Sequence, residues 1–182
     1  MSRFFLKFTK ISLWVLVPII FISGTKFNSS KTENDFFSGK YVFQTSGILN
    51  QNLMGMVNFE TITEVKANGE TYSILKLSLN NLDQSEKHTM EFLISKPTSL
   101  GQISRGSYNI VKSHNSFIDN FDGVFGFADI EVLGELPYFA KSGEIQISGI
   151  DDARLSGTLK LKLKNANNKF FDINGNFVAT KK

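Results

Sequence analysis

Residues Arg154–Lys164 read RLSGTLKLKLK. Leu155, Leu159, Leu161 and Leu163 fall on one parity with Gly157 in step, and Ser156, Thr158, Lys160, Lys162 and Lys164 fall on the other. Successive strand side chains point to opposite faces, so this run makes a half-buried antiparallel strand with one wet face. The next run repeats the plan. Phe171, Ile173, Phe177 and Ala179 share a face with Gly175, while Asp172, Asn174 and Asn176 take the other. Between the two, Asn165-Ala166-Asn167-Asn168-Lys169 predicts a hairpin loop, because asparagine tolerates positive φ. Upstream, Gly143–Ile150 places Ile145 and Ile147 inward, and Asp151-Asp152-Ala153 turns the chain into the lysine-rich strand. The C-terminal end is a three-strand meander.

The same alternation runs less cleanly through Lys40–Thr45, Leu53–Val65, Thr71–Leu79, His88–Ser95 and Ser107–Lys112. Asn68-Gly69 suits a type I′ hairpin turn between the second and third of these. In Phe121–Leu133 the phase changes: Phe121, Phe125 and Phe127 share one parity, Ile130 and Val132 the other. A β-bulge near Ala128 or Asp129 would reconcile them. A short helix fits around Gly134–Lys141, limited by Pro137. No longer stretch has helical period. About nine strands with turns every ten residues or so give an all-β fold, an antiparallel β-sandwich, with a closed β-barrel as the alternative.

The N-terminus reads differently. Residues 1–24, MSRFFLKFTKISLWVLVPIIFISG, have the layout of a signal peptide: cations first, then an apolar run, then small residues. The alternative is an uncleaved N-terminal anchor. Residues 25–38 are polar and unpatterned and read as a flexible linker, so 39–182 form a single all-β domain. Of 20 basic and 17 acidic residues, the three surplus cations are Arg3, Lys7 and Lys10, and the chain from Thr25 onward is neutral. That removes compositional support for a nucleic-acid surface. With no cysteine there is no disulfide, thiolate metal site or thioether-linked lipid. The expected location is therefore the periplasm, outer envelope or extracellular space.

Chemistry-bearing patterns are sparse. His88 and His114 have no partner at metal-ligand spacing and read as surface histidines. Asp119 and Asp122, in Asp119-Asn120-Phe121-Asp122-Gly123, are the candidate metal ligands, against a plain turn. Asp129 and Glu131, two apart on a strand, would suit a carboxylate pair, as surface strands often do. No nucleophile elbow, zinc helix, phosphate loop or dinucleotide motif occurs, so no cofactor and no enzymatic activity are expected. The 18 phenylalanines supply the best pointer. Phe117, Phe121, Phe125, Phe127, Tyr138 and Phe139 crowd a short span and are candidate ligand-binding residues, against a role as core filler. Lys160, Lys162 and Lys164 make a basic stripe suited to anionic groups or to guarding an exposed sheet.

Gly143-Glu144-Ile145-Gln146-Ile147, Leu155-Ser156-Gly157-Thr158-Leu159 and Ile173-Asn174-Gly175-Asn176-Phe177 form a recurrent set, with Gly106-Ser107-Tyr108 ahead of a strand. In this the C-terminal half resembles small exported β-rich proteins of bacterial envelopes, many of them lipoproteins of unknown function. The resemblance implies an envelope location and no catalytic residue. The expected role is a non-catalytic domain that binds or scaffolds an envelope partner. The alternative is a barrel-type carrier of a small apolar ligand, touching membrane only through residues 1–24 if these stay attached.

Overall fold

The computed structural model describes residues 39–65, 69–81, 87–111 and 122–182. Its strands are β1 (Lys40–Gly47), β2 (Asn52–Val65), β3 (Thr71–Asn81), β4 (His88–Pro97), β5 (Gly106–Asn109), β6 (Gly123–Ile130), β7 (Tyr138–Ile150), β8 (Arg154–Lys164) and β9 (Phe170–Lys181). Antiparallel pairing runs from β1 through β2, β3, β4, β6, β7, β8 and β9, and β9 pairs back with β1. Eight strands thus close an up-and-down barrel. The expected two-sheet sandwich is incorrect, and the closed barrel is the fold.

Alternation alone cannot separate the two, because both bury every second residue. What bends this sheet into a ring is visible at four inward glycines. Gly55, Gly126, Gly157 and Gly175 stand directly opposite Tyr41, Phe92, Phe177 and Phe43. A Cβ on any of them would fall within 3 Å of that ring. Each ring covers the bare backbone of its neighbour, which lets the strand kink inward without leaving a void.

The strands are strongly staggered. From Ile147 on β7 the ladder passes through Gly157, Phe177, Tyr41, Gly55 and Asn81. It continues at His88 and Ile130, then rejoins β7 near Leu136 rather than at Ile147. Such an offset forces the strands to tilt, by roughly 35–45° in barrels of this kind.

The wall is thinnest between β6 and β7, which pair only at Phe127–Phe139 and Ala128–Tyr138. Above that, β5 takes over against β7, and Ile110 bridges Val124. β5 and β6 thus share one place in the ring. The expected bulge in β6 is absent, for its register with β4 is unbroken from Gly123 to Ile130. Instead Val124, Ala128 and Ile130 face in, and Phe125 and Phe127 face out. The bulges lie in β7, at Ala140/Ser142 and Ile147/Gly149, where that strand bends to serve two neighbours. The expected helix near Gly134–Lys141 is a 3₁₀ turn at Glu131–Leu133 followed by β7.

The interior is one apolar cluster that includes Tyr41, Phe43, Leu75, Phe92, Ile94, Tyr138, Leu159 and Phe171. Each such side chain, fully buried, contributes roughly 1.5–3 kcal/mol. Outside, polar and charged residues dominate; Lys76 bridges Glu91 at 2.8 Å and Glu60 at 3.9 Å. Apolar inside and polar outside is the reverse of a barrel wall that faces hydrocarbon.

The β8–β9 loop forms as the sequence predicts. Asn168 takes φ of 61°, and the Asn165 side-chain oxygen accepts from the amides of Asn167 and Lys169. Asn68 of the expected Asn68-Gly69 turn lies outside the described residues, and the β2–β3 ladder runs up to Val65 opposite Thr71.

Candidate functional site

Among the described residues, a buried polar pair stands within the apolar lining of the barrel. Tyr41 on β1 and His88 on β4 point inward from the same ladder level, three strands apart around the ring. Gly55 between them has no side chain, so the Tyr41 ring lies across it. The Tyr41 hydroxyl thereby reaches His88 Nε2 at 2.5 Å, with the rings edge to face. Both residues are buried, and burial pushes the Tyr41 hydroxyl pKa well up from 10.0. The pair is therefore uncharged on the tyrosine side at any physiological pH.

A second inward hydroxyl has a different fate. Tyr138 on β7 is buried edge to face against Phe171, and its oxygen has no hydrogen-bond partner among the described residues. Burial raises its pKa as well. Its neighbour across the ladder is Ala128, the small residue that leaves room for the ring.

His88 also lines a cleft at the mouth of the barrel. Lys87, Thr89, Asp129, Glu131, Gly134 and Glu135 complete this cleft, whose volume is about 340 Å³. Asp129, near the end of β6, and Glu131, in the 3₁₀ turn after it and not on a strand, both line this cleft and are exposed. A second depression of about 430 Å³ lies on the outer wall, with Gln44, Thr158, Lys160, Asn174, Asn176 and Glu144 around Gly175. Val42 and Gly175 aside, its lining residues have polar or charged side chains.

The aromatic residues singled out from sequence separate. Tyr138 faces the lumen, whereas Phe125, Phe127 and Phe139 form a half-buried cluster on the outer wall, with ring centroids 6.2 and 6.4 Å apart. Phe117 and Phe121 lie outside the described residues, as do Asp119 and His114. Asp122 is exposed at the start of β6, and no cluster of His, Asp and Glu suited to a metal occurs among the described residues. His88 is buried rather than superficial. Its parity with Met90, Phe92 and Ile94 is the signal that puts it inside. The lysine stripe is also less bare than its sequence. Glu144 stands opposite Lys160, and Asp172 holds Lys162 at 3.4 Å.

No family model, no curated protein and no solved structure matches this chain.

Proposed function

We propose that this is an exported, non-catalytic barrel that carries a small, mainly apolar molecule at the cell envelope. The single supporting observation is the closed eight-stranded ring with an apolar lining and an internal polar pair, Tyr41 and His88. Eight strands enclose a space that side chains fill or that holds one small ligand. Rings at Tyr41, Phe43, Phe92 and Phe171 already occupy much of it, so the cargo on this reading is small. With no Lys, Arg, Asp or Glu among the described buried residues, an uncharged cargo is preferred. The export half of the proposal stands on residues 1–24 alone.

The polar outer depression around Gly175 favours a second reading, a module that binds a partner on its wall. Native and denaturing mass spectrometry on the full chain, recovered from the envelope fraction of its host, separates them. The carrier reading expects a native mass exceeding the denatured mass by one small molecule. A native mass equal to the denatured one, with the fold intact, removes it and leaves the wall-binding reading. A denatured mass starting near Thr25 supports export with cleavage, and retention of residues 1–24 replaces that with an anchor.

A further inference from the structure

Tyr138 stands on the inward face of β7, 1% exposed, and its hydroxyl has no hydrogen-bond partner among the described residues. Its surroundings account for that. Ala128 lies directly opposite on β6, and Ala140 is the next inward residue on β7. Leu163 faces Ala140 from β8, and the Tyr138 ring meets Phe171 edge to face at 5.2 Å. All four side chains are apolar and buried. A buried water needs two to four polar partners, and these side chains offer none besides the hydroxyl itself. The other inward tyrosine differs, since the Tyr41 hydroxyl is bonded to His88. An unpaired buried hydroxyl is costly to keep, and phenylalanine would fill the same space without it. A partner from outside the chain gives the group a purpose.

The approach to it is short. Glu135, which lines the cleft beside His88, comes three residues ahead of Tyr138, and Ala128 immediately precedes Asp129 of the same cleft. Side chains beside the Tyr138 ring are short at 128 and 140. A phenol both donates and accepts. Burial raises the Tyr138 pKa, so the group keeps its proton and is able to donate it at neutral pH. No Lys or Arg occurs among the described buried residues, which disfavours an ionised acceptor.

We infer that the Tyr138 hydroxyl is the polar anchor of the lumen, donating its hydrogen bond to one uncharged acceptor oxygen, a carbonyl or an ether, on an otherwise apolar molecule. The inference rests on the carrier reading and gives the cargo its polar feature. A pure hydrocarbon would leave the hydroxyl unpaired. A molecule bearing several hydroxyls would bring more polar groups than this lining satisfies.

The test uses the full chain and two probes of one shape, 1-indanone and indane, which differ by a carbonyl oxygen. Calorimetry should find indanone bound roughly tenfold more tightly than indane. In Tyr138→Phe that preference should disappear while indane binding is unchanged. A second sample carries 3-fluorotyrosine at the four tyrosines. The fluorine resonance missing from Tyr138→Phe belongs to Tyr138, and it should shift saturably on adding indanone. Equal affinities for the two probes, or a carbonyl preference that survives in Tyr138→Phe, overturn the anchor and leave the carrier reading standing. Shifts confined to other tyrosines also overturn it, by placing the binding elsewhere. If neither probe binds, the anchor falls; a native mass equal to the denatured mass then removes the carrier reading as well, whereas a retained cargo mass preserves that reading alone. The comparison of probes on the natural chain gives an answer even if Tyr138→Phe fails to fold.

Discussion

Two buried tyrosines in one lumen should respond oppositely to loss of a hydroxyl. Tyr41 donates to or accepts from His88, so Tyr41→Phe removes a buried hydrogen bond from the imidazole. The expected cost is about 1–3 kcal/mol in urea unfolding. The Tyr138 hydroxyl has no hydrogen-bond partner among the described residues, so Tyr138→Phe should be neutral or stabilising by about 1 kcal/mol. Equal destabilisation by both would mean that the Tyr138 oxygen is in fact bonded. Alkali offers a second reading of Tyr41. Its folded pKa is raised by burial, so its contribution is complete below the unfolded value of 10.0. Above that the unfolded chain loses a proton that the native state retains, and stability falls with rising pH. Stability measured across pH 9 to 11 should therefore decline less steeply in Tyr41→Phe, with Tyr138 contributing in the same direction. His88 shows how much of this was open to sequence reasoning. Its spacing from Met90, Phe92 and Ile94 carries the inward face, a signal that the reading of it as a surface histidine misses, whereas its partner forty-seven positions earlier carries no local mark.

Among the strands, the decisive positions are the glycines that alternation places on the apolar face. In Leu53-Met54-Gly55-Met56-Val57 and Val124-Phe125-Gly126-Phe127-Ala128 an inward glycine interrupts an otherwise filled row. Such gaps weaken a flat sheet and are useful only where the sheet must bend. The glycines were therefore a legible sign of closure, but which aromatic covers each one depends on register between strands. The β6 error has the same root. Phe125 and Phe127 outnumber the inward Val124 and Ala128 in bulk, so hydrophobicity pointed to the wrong face. Gly126→Ala tests the pairing. Its methyl would fall 2.1 Å from Phe92 Cδ1 and 2.8 Å from the Glu91 carbonyl oxygen, and the expected loss is about 1–3 kcal/mol. Phe92→Leu should relieve part of it, giving a coupling in the double-mutant cycle of about 0.5 kcal/mol or more. Strict additivity would show that the ring and the glycine do not share the space.

Across the whole molecule, closure rests on the β1–β9 ladder, which joins the two ends of the domain and has no signature in any short stretch of sequence. That is why strand positions and faces could be read locally while sandwich and barrel could not be told apart. A closed ring also has no natural edge at which to begin opening, so its weakest seam matters more than in a sandwich. β8 and β9 are held by eleven consecutive pairs from Arg154–Thr180 to Lys164–Phe170, whereas β6 meets β7 at only two. β5 covers the remainder of that seam with four pairs to β7. Local opening should start there, because its free energy is set by the contacts broken and not by the stability of the whole. Native-state hydrogen exchange should find the amides of Gly106–Asn109 and of β7 facing them exchanging by a route insensitive to low denaturant. Those of β8 and β9 should exchange only through global unfolding. Uniform protection around the ring would refute a weak seam. A cargo in the lumen would then have to pass the mouth beside His88, not the wall between β5, β6 and β7.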